Sequence, residues 1–355
     1  GGLHWSEPII VALDGVDLAG NPTPTRIFND KIWVTADKFS GRVYVSWTRF
    51  EDNPDGSRLD SPIAVSASTD FGQTFSPRHQ VSPSLTGFTG GITPFSQGSN
   101  PQVGNDGTLY IAYESAVCAT LACTSPTDHD ATVVATSHDH GVTFSQAEVD
   151  VNFDFPFNPD VGRSTLTGEN FRINSYPQLT YDPVFNRLYV VWNDDRNGLY
   201  DAQTGASIKT NGDNIVSSSG DGAHWTAPTV VGTGQDEVFG AVAAFAGVVA
   251  VSSYTRHYDP NGINLDYAYW KSFGVNDLAG ARIHRITTQS SNPQIQFVAV
   301  GLQSGQVLQG VFIGDYSAMS MGFDFKIHPC WTDFRGRPGV TDPNQDVYTQ
   351  GISLF

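Results

Sequence analysis

Ser68-Thr69-Asp70-Phe71-Gly72-Gln73-Thr74-Phe75 is the stretch that most narrows what this chain can fold into. Ser-x-Asp-x-Gly-x-Thr-aromatic is the composition of a tight hairpin. The Asp carboxylate accepts backbone N–H groups inside the turn, and the Gly supplies a positive φ. The aromatic re-enters the core at the start of the next strand. The octet recurs as Ser137-His138-Asp139-His140-Gly141-Val142-Thr143-Phe144. A third copy, Ser218-Ser219-Gly220-Asp221-Gly222-Ala223-His224-Trp225, has its Asp displaced by one place. Gly2-Leu3-His4-Trp5 matches the last four positions. The closing aromatics Trp5, Phe75, Phe144 and Trp225 fall about 70 to 80 residues apart, which makes this a long-period repeat.

The pattern resembles the Asp-box (BNR) repeat of the sialidase-like β-propellers. The resemblance implies an all-β fold, a single β-propeller domain over residues 1–355 built of four-stranded antiparallel blades. Asp-boxes lie on the blade periphery and occur in hydrolases, lyases and binding proteins alike, so the resemblance speaks to fold and not to chemistry.

Composition agrees with many short strands joined by tight turns: aromatics reach 12% and charged residues only 15%. No segment sustains a 3.6-residue apolar period, so no long helix is expected. The net charge of -17 argues against nucleic acid or an anionic membrane surface as partner. No apolar run approaches the roughly 20 residues of a membrane span. Cys118 and Cys123 lie in one loop and are placed to close a small disulfide ring, while Cys330 reads as a buried free thiol. A secreted, extracellular monomer with a trimmed N-terminus is expected.

Along the chain, Ser6–Leu13 reads as an outer strand, so that residues 1–14 close the last blade and leave no open edge. Repeats begin at Asn29, Asn100, Ser175, Glu237 and Ile313. Five are countable, and six blades follow if the chain copies sialidases, with Gln294–Phe312 as a place for reduced strands. Asn276-Asp277-Leu278-Ala279-Gly280 reads as a decayed box. Trp331-Thr332-Asp333-Phe334-Arg335-Gly336 echoes Trp192-Asn193-Asp194-Asp195-Arg196-Asn197-Gly198, a second repeat signal. Long loops are expected at 84–98, 150–173, 193–214 and 257–266, and such loops are where a propeller carries its ligand.

The same resemblance implies a set of site residues. Sialidases hold a substrate carboxylate with three arginines, attack with a tyrosine activated by a glutamate, and protonate the leaving oxygen with an aspartate. Arg26 in Thr-Arg-Ile-Phe partly matches the first arginine, without the flanking Phe and Pro of the family pattern. Asp60, eight residues before the first box Ser, falls near the acid. Glu237 and Arg256 suit the glutamate and the second arginine, and Tyr316 stands where the nucleophile would be. Arg285 or Arg282 lies in the interval of the third arginine. The implied function is an exo-glycosidase recognising an acidic terminal sugar. A uronate-directed polysaccharide lyase would need the same arginines plus a base, for which Tyr254-Thr255-Arg256-His257-Tyr258 offers groups. A non-catalytic glycan binder would use aromatic loops such as Phe153, Phe155 and Phe157. No cofactor is required. Structural calcium is a further expectation, from Asp259, Asn261, Asn264 and Asp266 or from Asp52, Asp55 and Asp60, without EF-hand spacing.

Overall fold

The computed structural model describes residues 4–14, 21, 26–336 and 344–354. The chain gathers into two compact units, residues 1–149 and 150–355. Apart from a 3-10 turn at Asn276–Gly280, the regular structure among the described residues is β. The decayed box is that turn.

Five antiparallel sheets of four or more strands appear in chain order. The first joins Ile27–Ala36, Val43–Asp52, Ile63–Ser68 and His79–Gln80, with Arg58–Asp60 added on Val43–Asp52. The second joins Gly91–Val103, Leu109–Cys118, His129–Ser137 and Ser145–Asn152. The third joins Gln178–Asp182, Arg187–Asp194, Asp213–Ser219 and Thr229–Val231. The fourth joins Glu237–Phe245, Val248–Thr255, Asp266–Phe273 and His284–Arg285. The fifth joins Ala318–Met321, Lys326–Asp333 and Asp346–Thr349, with Ile352–Ser353 also on Lys326–Asp333. Each sheet falls on one of the five sequence repeats. The 294–312 stretch holds only a two-stranded ribbon, Ala299–Val300 with Val307–Leu308.

Two expectations are corrected. Residues 4–14 contain no strand, and residues 1–3 of the partial box lie outside the described residues. The run Pro8–Leu13 is continuously apolar, so no period-2 pattern gives it a strand face, and the short strand Ile352–Ser353 pairs in the last sheet. The stretch 84–98, expected as a loop, is strand from Gly91 onward. Its Gly, Pro and Ser residues are accommodated by register shifts between Ile92 and Ser96 and between Gln97 and Asn100.

The boxes fold as their residue types require. Asp70 accepts N–H bonds from Gln73 and Thr74 at 3.0 and 2.9 Å and the Thr74 hydroxyl at 2.6 Å, while Ser68 Oγ takes the Gly72 N–H at 2.8 Å. Asp139, Thr143, Ser137 and Gly141 repeat these bonds. In the third copy Ser219 takes the serine role, Asp221 accepts the N–H groups of Ala223 and His224, and Gly222 binds Ser219 Oγ. The displaced aspartate thus keeps its Ser-x-Asp spacing. The turn is one residue shorter, lacking the left-handed residue that Phe71 (φ 63°) and His140 (φ 65°) supply in the others.

The strands that build the second unit's core are buried on both faces and mostly apolar. Glu237–Phe245 and Val248–Thr255 are buried throughout, as strands covered on two sides are. Their hairpin turns at Ala246 and Gly247, both with positive φ (53° and 83°), the pair a two-residue turn needs. The first strand of the fourth sheet packs against the first strands of the third and the fifth, so the unit's interior lies along Glu237–Phe245. The Cys118–Cys123 disulfide is formed, and Cys330 is a half-buried thiol rather than a buried one.

Candidate functional site

Polar groups collect at one end of these strands in the second unit. Glu237 opens its strand opposite Thr255, the last residue of the neighbouring strand. Its N–H binds the Gly212 carbonyl at 2.7 Å, and its own carbonyl takes the Asn193 amide at 3.1 Å. Asn193 also bonds Asp213 and Asn214 and accepts the Gly240 N–H. This one buried side chain therefore fixes Glu237 against the third sheet. Gly232 is required here, since a Cβ would sit 1.8 Å from Asp213 Oδ1 and 2.9 Å from Glu237 Oε2.

The Glu237 carboxyl has no exposed surface. Thr233 and Thr255 each place a hydroxyl 2.7 Å from Oε1, and the Thr233 N–H donates to Oε2 at 3.1 Å. Burial outweighs these donors and pushes its pKa up to about 8. Asp236, the preceding residue, accepts the Gly212 N–H at 3.0 Å, the Thr210 hydroxyl at 3.1 Å and Arg256 Nη1 at 2.7 Å. Arg256 is 5% exposed. Its Nη1 also donates to the Thr167 carbonyl, and its Nη2 lies 3.1 Å from Glu169 Oε1 in an ion pair that is not aligned as a hydrogen bond. Glu169, also buried, is raised to about 7 by desolvation, with the Arg256 charge opposing. Asp195 is raised to about 6 by burial although it holds the Tyr200 hydroxyl and the Asn211 N–H. Asp213 is raised by the same cause. A cleft of about 730 Å³ opens on this cluster, lined by Asp236, Arg256, Thr233, Lys209, His257 and Asp259 among others.

Of the residues anticipated from sequence, Glu237 and Arg256 come together here. The Arg256 N–H binds the Asp236 carbonyl at 3.1 Å. Tyr316 is 44% exposed. Its neighbour Asp315 grips Arg172 through two bonds, and its other neighbour Ser317 donates to the Phe239 carbonyl, two residues beyond Glu237. Arg285 is held by Asp266 at 2.7 Å and lies over the Tyr258 ring. In the first unit, Arg26 is exposed and donates to the Asn53 carbonyl at 2.7 Å. Asp60 pairs with Glu51, which pairs with Ile27, so Asp60 and Arg26 share one end of the first sheet. Burial and the Glu51 charge raise the Asp60 carboxyl.

Several anticipated groups have structural duties. The Tyr254 hydroxyl donates to the Thr332 carbonyl and accepts the Thr332 N–H, and burial raises its pKa far above the ordinary value. It is a core residue and not a base. Phe155 is buried in the same core, whereas Phe153 and Phe157 are exposed. Asp259 accepts the N–H groups of Asn261, Ile263 and Asn264, so its carboxylate organises its own loop. Asp55 binds Ser57, and Asp52 pairs with Arg58. Among the described residues no three His, Cys, Asp or Glu side chains converge as a metal site.

The second repeat signal also has a structural meaning. Arg196 forks onto Asp194 and Arg335 onto Asp333, each closing the end of a second strand over a fully buried aspartate. Sequence reasoning missed Glu169, Asp195, Asp213 and Asp236. For Asp195 that echo carried a hint, since Phe334 stands at the matching position of the other copy.

No family model and no curated protein matches the sequence. Among solved structures, the chain is similar to a protein of unknown function from Dyadobacter fermentans DSM 18053, with 13% identity and a TM-score of 0.50 over 93% of this chain and 80% of that one. It is also similar to an alpha-L-arabinanase from Penicillium chrysogenum complexed with arabinobiose (14% identity, TM-score 0.47, 92% of this chain and 93% of that one). A third is NanB sialidase from Streptococcus pneumoniae (11% identity, TM-score 0.47, 93% and 62%). The likeness to the Dyadobacter protein is one of fold alone.

Proposed function

We propose that the chain is a carbohydrate-active β-propeller enzyme, a glycoside hydrolase working through the carboxyl cluster around Arg256. The observation that carries this reading is the pairing of unlike carboxyl environments on adjacent residues. Glu237 is buried among neutral donors and held at about 8, while Asp236 sits in an ion pair with Arg256. Glycosidic cleavage needs such a division. One carboxylic acid protonates the leaving oxygen, and one carboxylate attacks the anomeric carbon or activates water. Glu237 does not line the cleft and takes the acid role through Thr233, whose hydroxyl is 2.7 Å from its carboxyl: Thr233 gives its proton to the leaving oxygen and takes the proton of Glu237 in the same step. Asp236 takes the carboxylate role at the cleft wall, and Arg256 orients it.

The narrower form of this reading is a sialidase-type exo-glycosidase for an acidic terminal sugar, secreted and folded as one ring. It adds Tyr316 as nucleophile, Asp60 as acid, and Arg26, Arg256 and Arg285 as the clamp. Its support is the order of these residues along the chain. Against it, Arg256 is already matched by Asp236 and Glu169, and Arg285 by Asp266. A Glu237 that holds its own proton at neutral pH is also a poor acceptor for a tyrosine's. The geometry therefore favours a neutral sugar.

The test is hydrolysis of a panel of chromogenic glycosides, neutral pentosides and hexosides beside a sialoside and a glucuronide. Neutral substrates should turn over, and Asp236→Asn and Glu237→Gln should each lower kcat at least ~100-fold with the CD spectrum unchanged. Turnover of the sialoside with loss on Tyr316→Phe would establish the narrower form. Ultraviolet absorbance from an unsaturated uronate, without hydrolysis, would replace both with a lyase.

A further inference from the structure

A second cavity in the same unit, of about 450 Å³, lies beside the last sheet and shares no lining residue with the carboxyl cleft. The volume is within the range of small-ligand sites. Tyr348 and the buried Trp331 form its aromatic wall, with the fully buried Tyr267 stacked behind Trp331. Tyr267 stacks on Trp331 at 5.1 Å and 5°, Trp331 meets Tyr348 at 6.0 Å and 32°, and the Arg335 guanidinium lies 5.7 Å over Tyr348. The Arg335 donors are engaged: Nε and Nη2 on Asp333, and Nη1 on Thr288 Oγ1 at 2.8 Å. Its charge is therefore matched inside the protein and does not call for an anion. Trp331 is buried, and its indole N–H meets no acceptor among the described residues. Gln289, Thr349 and Gln350 stand exposed at the rim. They bring amides and a hydroxyl and no charge.

Aromatic edges beside neutral hydrogen-bonding groups suit one class of ligand, an uncharged polyhydroxylated ring. Its C–H groups pack against the exposed edge of Tyr348 and its hydroxyls bond the rim amides. We propose that this cavity is an accessory binding site for a neutral oligosaccharide, separate from the carboxyl cleft and independent of whether that cleft is catalytic. The site holds the chain and performs no chemistry on it.

Isothermal titration with xylotetraose, cellotetraose, mannotetraose and arabinotetraose tests this. Each is measured on the wild-type protein and on Asp236→Asn, which keeps the probe from being consumed. At least one should bind with a Kd on the order of 1 mM or tighter. Because Gln289 and Gln350 are exposed, the Gln289→Ala/Gln350→Ala protein should fold normally. It should bind that probe about tenfold more weakly, as expected for losing one or two hydrogen bonds. Hydrolysis at the other cleft, where present, should persist in it. Absence of binding by all four probes overturns the proposal. So does binding that the double variant leaves unchanged.

Discussion

Glu237→Gln offers a direct measure of how strongly burial controls the acid at the centre of the cluster. The carboxyl rises from an ordinary 4.5 to about 8 in the folded protein. At about 1.4 kcal/mol for each tenfold change in proton affinity, that rise corresponds to a pH-dependent term on the order of 5 kcal/mol. Its sign follows from proton counting. Between these two values the native state retains a proton that the unfolded chain has released, so stability is greatest below about pH 4.5 and falls as the pH rises toward 8. Glutamine preserves the shape, and its amide can donate to the Thr233 and Thr255 hydroxyls that surround the site. Urea midpoints between about pH 5 and pH 8 are the assay. The wild-type protein should lose stability across this range more steeply than the variant, by about 1 kcal/mol for each pH step. Near pH 8 the variant should be the more stable of the two by several kcal/mol. Some slope should survive in the variant, because Glu169 and Asp195 are raised in the same direction. Parallel curves would mean that Glu237 ionises normally inside the fold, and the acid role assigned to it would go with that result.

Two further outcomes are expected. Asp182, fully buried, accepts the N–H groups of Val184, Phe185, Ala246 and Gly247; Asp182→Ala should cost about 3 to 5 kcal/mol in urea unfolding, and a loss below about 1 kcal/mol would show that water replaces these bonds. Asp70 is lowered to about 2, first by its bond from the Thr74 hydroxyl, so the stability lost in Asp70→Ala should be full above about pH 4 and fade as pH falls through 2; a pH-independent difference would refute the hydrogen-bond account.

The boxes were legible because every bond that shapes them runs between residues within an octet. Ser68, Asp70 and Thr74 satisfy one another whatever the rest of the chain does. Glu237 and Arg256 were legible for a related reason: one starts a strand, the other follows its neighbour, and a hairpin at Ala246 and Gly247 must bring such positions together. The partners of Arg256 were not. Glu169 reaches it across a separation no local rule spans, and Asp236 looks in sequence like any loop acid beside the more conspicuous Glu237. Residues 91–98 were hidden differently, since Gly-Ile-Thr-Pro-Phe-Ser-Gln-Gly has the composition of a loop, and the irregular register that makes it a strand depends on the partner strand.

The two populations of carboxyl groups in this chain respond oppositely to folding. Asp139 and Asp221 are exposed and Asp70 half-buried, and each is saturated with donors from its own turn, so hydrogen bonding dominates and each is held below its ordinary value. Glu237, Glu169 and Asp195 also have donors, yet burial exceeds what those donors return, and each is held above it. The first group favours the native state above about pH 4 and the second below about pH 5, so these two groups set a stability maximum in the interval where their opposing slopes meet. The same difference separates structure from chemistry. A carboxylate fully matched by its turn has no proton to give and no unmet acceptor strength. A buried acid at about 8 next to an arginine-bound carboxylate has both a proton to donate and a charged partner in place. Such an arrangement costs stability at neutral pH, and the acid role proposed for Glu237 would account for that cost.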